Sequence, residues 1–91
     1  MSVLVSAQIA GGTAEQDRAI VQALNLEGDP PEGARLRLAG PTSTGWRVVS
    51  LWDSRESFDA FVNARLTPAL ERAGRPMPEF EFSPIESIII R

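Results

Sequence analysis

Gly45-Trp46-Arg47-Val48-Val49-Ser50-Leu51-Trp52-Asp53-Ser54-Arg55-Glu56-Ser57-Phe58-Asp59-Ala60-Phe61 reads as a strand that feeds straight into a helix. From Trp46 to Trp52 the side chains alternate at period two. Both faces are apolar, with Trp46, Val48 and Trp52 on one and Val49 and Leu51 on the other. A strand apolar on both faces must be covered on both. The chain's own helices supply one cover, and a second sheet would supply the other. The helix begins near Asp53 or Ser54, with Glu56 three residues after Asp53. Phe58, Phe61, Val62, Arg65 and Leu66 then fall on one stripe at helical spacing.

Upstream, Ala34, Leu36 and Leu38 alternate with Arg35 and Arg37, which predicts a second strand whose two arginines share a face. Gly40-Pro41-Thr42-Ser43-Thr44-Gly45 is a hairpin-type connection to the third strand, and Gly28 to Gly33 is a loop by composition. Further upstream, Val3, Val5, Ala7 and Ile9 alternate with Ser2, Leu4, Ser6 and Gln8, a half-buried first strand ended by Gly11-Gly12. Thr13 starts a helix, with Gln16 at capping-box spacing. Glu15 and Asp17 lie in its first turn, where the helix dipole favours them.

Downstream, Thr67-Pro68 interrupts the second helix, and Pro68 suits the first turn of a new short helix capped by Thr67 and ending at Gly74. Arg75-Pro76-Met77-Pro78 is a stiff connector. Phe80 and Phe82 share one face of a fourth strand, and Ser83-Pro84 predicts a bulge or an edge position there. Ile85 to Ile90 is expected to close the chain as a strand. The order is strand, helix, strand, strand, helix, strand. That order predicts an α+β, ferredoxin-like βαββαβ fold, with a four-stranded antiparallel sheet and helices on one face. Residues 1–91 are expected to form one domain.

Composition narrows the chemistry. Apolar residues make up 43% of the 91 and charged residues 23%, the balance of a globular chain. Nine arginines face twelve acids for a net charge of −3, which argues against a nucleic-acid partner. Cys, His and Tyr are absent, which removes thiolate chemistry, a His base and a Tyr acid. Asp and Glu are scattered, so no metal site is expected. The N-terminal segment lacks a signal-peptide pattern and no apolar run approaches the roughly 18 residues of a membrane span. A cytoplasmic protein with no membrane partner is the expectation. So small a chain, with neither disulfide nor metal, would gain burial from a second subunit.

Trp52 closing the third strand, Asp53-Ser54 after it and Phe58 early in the helix resemble the dimeric α+β barrel superfamily. More narrowly they resemble its antibiotic-biosynthesis-monooxygenase-like branch. Arg65-Leu66-Thr67-Pro68-Ala69-Leu70 is similar to small members of that branch. The resemblance implies a homodimer in which two sheets pack face to face, each subunit keeping a pocket between its sheet and helices. It places Val48, Ser50 and Trp52 of the third strand and Phe61 and Arg65 of the second helix at that pocket as ligand-binding residues. Several enzymes of the branch carry His at or near the position of Phe61, and this chain has none. The branch's cofactor-free monooxygenases act on phenolic polyketides with an Asn, a Trp and an Arg near the substrate. The resemblance therefore implies no cofactor and a small aromatic or polyketide-like ligand.

Each candidate also has an ordinary structural role. Trp46 and Trp52 can stack on a flat ligand or serve as core. Ser50 is the one polar residue on an otherwise apolar strand face, so its hydroxyl either orients a ligand or bonds nearby backbone. It has no His or Lys to make it a nucleophile. Arg65 can hold a carboxylate or enolate, whereas Asn63 lies off the stripe and points to solvent. Arg35, Arg37, Glu79 and Glu81 suit cross-strand or cross-subunit ion pairs. Three readings stand: a cofactor-independent monooxygenase-like or cyclase-like enzyme, a non-catalytic small-ligand-binding homodimer, and a structural homodimer whose pocket is filled by Phe58, Phe61, Phe80 and Phe82.

Overall fold

A computed structural model describes residues 1–91. The elements are β1 (Val3–Ala10), α1 (Ala14–Ala23), β2 (Ala34–Thr42), β3 (Gly45–Trp52), α2 (Arg55–Phe61), a π-helical turn (Val62–Leu66), α3 (Thr67–Ala73) and β4 (Phe80–Pro84). The four strands form one antiparallel sheet in the order β2-β3-β1-β4, the ferredoxin-like arrangement. No helix is long and apolar enough to cross a membrane.

Local chemistry sets the helix starts. The Thr13 hydroxyl accepts from the Gln16 amide at 3.1 Å, and the Ser54 hydroxyl accepts from the Ser57 amide at 3.1 Å. Each hydroxyl satisfies an amide that the first turn leaves without a helical partner. Ser54, not Asp53, is therefore the cap of α2. Thr67 does not cap a new helix. It sits in the right-handed helical region, as do Phe61, Val62 and Leu66, so α2, the π-turn and α3 form one continuous rod. Pro68 explains the π-turn. A proline has no N–H to give and crowds the carbonyl four residues back. Here the Thr67 N–H bonds to the Val62 carbonyl five residues back, the widened pitch of a π-turn. Gly74 ends the rod in the left-handed region. Its N–H reaches the Glu71 carbonyl, and the Arg75 N–H reaches that of Leu70 at 2.9 Å, a Schellman closure.

The β2–β3 hairpin is tighter than its Gly and Pro content suggests. β2 runs to Thr42, which pairs with Gly45, and only Ser43-Thr44 form the turn. Gly45 is required by close approach, since a Cβ there would lie 2.1 Å from the Ile9 carbonyl oxygen. β2 also carries a bulge. Ala34 pairs with Trp52 but Leu36 pairs with Leu51, so the register slips between them. A one-residue slip sends every later side chain to the opposite face. Ala34 points to the helices, Leu36 and Leu38 point away, and Arg37 turns inward. The expected shared face of Arg35 and Arg37 is lost.

The sheet thus has two unlike faces. The inner one carries Val3, Val5, Ala7 and Ile9 of β1, with Trp46, Val48, Ser50 and Trp52 opposite them on β3 and Phe80 and Phe82 on β4. Under the rod this face is sealed: Val3, Val5, Trp52 and Phe58 are buried together. The outer face carries Leu4, Leu51 and Leu36 in one row and Ser6, Val49 and Leu38 in the next. No element covers it, and Leu36 and Leu38 are 53% and 58% exposed.

Ile85 to Ile90 does not form the expected strand. β4 pairs only with β1, and Pro84 already lies opposite Val3, where β1 begins. The Ile85 amide makes one last bond, 3.1 Å to the Ser2 carbonyl. Beyond it no partner strand remains, and Ile88, Ile89 and Ile90 are exposed. Pro84 sits on the edge strand, where its missing N–H costs no ladder bond.

Candidate functional site

A cavity of about 600 Å³ lies between the inner face of the sheet and the helices. Its floor is Val5, Ala7 and Ile9 of β1 with Trp46, Val48, Ser50 and Trp52 of β3. Its roof is Ile20 of α1 and Leu24 just after it, with Phe61, Leu66 and Leu70 of the rod. The space exists because α1 buries none of its ten residues, so this helix stands off from the sheet. The volume falls within the range of small-molecule pockets.

The four phenylalanines do not fill it. Phe58 is the hub of a cluster at one end, with ring centroids 5.3 Å from Trp52, 5.0 Å from Phe80 and 5.6 Å from Phe82, all edge-to-face. Phe58, Phe61 and Phe80 present walls to the cavity. Phe82 lies outside it, covered by the Arg55 guanidinium 3.5 Å above its ring.

Polar groups in the cavity wall are few and specific. The Trp52 indole N–H donates to the Ser50 hydroxyl at 2.9 Å, which leaves the Ser50 O–H free to donate. The indole nitrogen of Trp46 is buried without a partner. An unpaired buried donor is costly and marks a place where an acceptor is wanted. Arg37 lies across the ladder from Ser50 and binds Asp17 of α1 with two hydrogen bonds, at 2.6 and 3.2 Å. This ion pair ties the first turn of α1 to the edge strand β2. Arg35, displaced by the bulge, instead forms a two-bond pair with Asp53 at 2.7 and 2.8 Å. Its hydrogen bonds hold the Asp53 carboxyl below the ordinary aspartate range, desolvation opposes them in part, and the charge of Arg35 adds a lesser push downward. Asp53 therefore stays ionised near neutral pH and carries no proton there. No group of three or more His, Cys, Asp or Glu side chains gathers to hold a metal ion.

No family model matches the chain, and no curated protein does. Solved structures do. A candidate antibiotic biosynthesis monooxygenase from Chloroflexus aurantiacus superposes with a TM-score of 0.64 at 18% identity, over 100% of both chains. A second candidate of that kind, from Deinococcus radiodurans, gives 0.61 at 14% identity, over 100% of this chain and 98% of the other. SnoaB, a cofactor-independent oxygenase from Streptomyces nogalater, gives 0.67 at 7% identity, over 99% and 97%. This chain has the antibiotic-biosynthesis-monooxygenase-like fold. At such identities the likeness is one of fold, and the chemistry must be argued from the site.

Of the residues that the sequence pointed to, Val48, Ser50, Trp52 and Phe61 come together on the cavity wall. Arg65 does not join them. It lines a separate surface hollow with Asp53, Ser54 and Ser57. Its guanidinium donates to the Leu24 carbonyl and, at 2.9 Å, to the Asp29 carbonyl, so it fastens the end of α1 and the following loop to the rod. Arg65→Met removes both charge-assisted bonds and should cost about 1.5–3 kcal/mol, read from urea denaturation. A loss under about 0.5 kcal/mol would show that the two carbonyls find water instead. Asn63 is exposed, as expected. Sequence reading missed Asp17 and Arg37. Asp17 looked like an ordinary first-turn acid, and Arg37 was expected on the face that Arg35 shares.

Proposed function

We propose that the cavity binds a small, flat aromatic or polyketide-type molecule, and that the chain acts on it as a cofactor-independent, monooxygenase-like homodimer. The observation that carries this reading is the open cavity of about 600 Å³ walled by two indoles, one of them with an unpaired N–H. Val48, Ser50, Trp52 and Phe61 are the proposed ligand-binding residues. Trp52 and Phe61, with ring centroids 5.2 Å apart, give the wall its aromatic surface, and the Ser50 O–H, fixed by the Trp52 N–H, offers a directed donor to a carbonyl. The likeness to SnoaB supports an oxygenase without a cofactor. The uncovered outer face of Leu4, Leu36, Leu38, Val49 and Leu51 supports a twofold partner with the same face.

A second reading, a non-catalytic binding protein, draws on the cavity wall itself. Asp17 is its one carboxylate, and that group is held in an ion pair. Anthrone in air-saturated buffer without added cofactor separates the two. The enzyme reading expects anthrone and O₂ to give anthraquinone and water, with oxygen uptake and quinone absorbance rising together. Quenching of indole fluorescence without turnover would favour the binder. Neither turnover nor quenching would overturn both readings of the cavity.

A further inference from the structure

We infer that Asp17, held by Arg37, is the specificity-determining group of the cavity, and that it selects aromatic ligands carrying a free hydroxyl. The inference rests on the proposed reading of the cavity as a binding site and names what that site reads.

Donors outnumber strong acceptors on the cavity wall. The Trp46 N–H is unpaired, and the Ser50 O–H is left free by the bond from Trp52. Arg37 brings five N–H groups, of which two are engaged by Asp17. Arg35 and Arg75 are the other charged groups on the wall, and both are donors. Gln8, Thr13 and Gln16 bring only neutral oxygens, and those of Thr13 and Gln8 already accept, from the Gln16 amide and from Arg47. Asp17 is the only carboxylate facing the cavity, and an ionised carboxylate is acceptor-only. With two oxygens it retains lone pairs beyond the two bonds from Arg37.

Its position is fixed from both sides. Asp17 sits one turn into α1, whose start is set by the Thr13 cap. Arg37 is turned inward by the β2 bulge and stands beside Ser50 on the floor. The side chains are 14% and 30% exposed, so the pair is screened from bulk water yet borders the cavity. A wall rich in donors with a single strong acceptor favours a ligand that offers several oxygens as acceptors and one O–H as donor. The hydroxyl donates to Asp17, and its own oxygen accepts from Arg37 or Ser50. Charge assistance makes Asp17 the strongest acceptor on the wall for a ligand O–H.

The test compares 2-naphthol with 2-methoxynaphthalene by calorimetric titration. The two share the ring and the oxygen, and only the first can donate. Wild type should prefer 2-naphthol by roughly 10-fold or more, the worth of one hydrogen bond to a charged group. Asp17→Ala should bring the two affinities together, because donors alone treat hydroxyl and ether oxygens alike. Arg37→Met should weaken both ligands and keep the preference, which no general loss of structure would do. Asp17→Asn, which keeps the shape and one neutral acceptor, should leave a preference of only a few-fold. Equal affinity of wild type for the two ligands, or a preference that survives Asp17→Ala, overturns the inference while leaving the cavity a binding site. Failure of both ligands to bind wild type overturns the reading of the cavity, and the inference with it.

Discussion

Phe58→Ala lowers the stability of the fold by about 3–5 kcal/mol, the range for removing a buried large aromatic. Phe58 is 4% exposed and touches nearly every layer of the core. Its ring meets Trp52 at the end of β3, Phe61 one turn along the rod, and Phe80 and Phe82 on β4. Three of these are edge-to-face pairs, each adding about 0.5–1.5 kcal/mol beyond the area buried. The structure has little slack elsewhere, since only eight of 91 residues are buried and none lies on α1. A domain of this size loses about 4–8 °C of Tm per kcal/mol, so the melting transition should fall by more than 10 °C. Circular dichroism melts and urea titrations give the number. Met77→Ala, at an exposed connector position, serves as the control and should change little. A loss below about 1 kcal/mol at Phe58 would mean that the aromatic cluster does not hold the core together.

The elements that the sequence made legible are those whose signal is local. The period-two alternation of β1 and β3, the cap at Thr13, the start of α2 at Asp53 or Ser54 and the stop at Gly74 each depend on residues within one turn or one strand. That Val48, Ser50 and Trp52 share one strand face was legible for the same reason, whereas their place at a pocket came from the family resemblance. What could not be read depends on distant partners. The β2 bulge is a register choice made against β3, and it decides which way Leu36, Arg37 and Leu38 point. The Asp17–Arg37 pair spans 20 positions and exists only because of that bulge. Arg65 was grouped with Phe61 by a stripe drawn at 3.6 residues per turn, and the resemblance set that stripe at the pocket. The π-turn from Val62 to Leu66 changes the angular step, and the stripe loses its phase within it. The isoleucines at 88–90 have strand-forming side chains, but a strand needs a neighbour and β1 has already ended.

Leu38→Glu converts the proposed homodimer into a monomer. Leu38 and Leu36 stand on the outer face beside Val49 and Leu51, and this face has no cover within the chain. Arg47 and Gln8 bond to each other at 3.2 Å at one end of the patch, and Ser6 is the one polar residue within its two rows. A twofold interface repeats every substitution. One Glu on the patch becomes two charges brought into an apolar interface without a partner, which is strongly unfavourable. At about 2 kcal/mol or more for each copy, the sum is about 4 kcal/mol, or roughly 1,000-fold in the dimer dissociation constant. Sedimentation velocity at micromolar concentration should show wild type at twice the chain mass and Leu38→Glu at one. Because Leu38 is exposed within the single chain, the variant should keep the far-ultraviolet signature of the fold. A wild type that sediments as one chain, or a Leu38→Glu variant that stays dimeric, would remove the outer face as the site of association. Phe58 and Leu38 thus probe opposite sides of one sheet. The first holds the helices over the cavity, and the second governs whether a second sheet covers the face that the chain leaves bare.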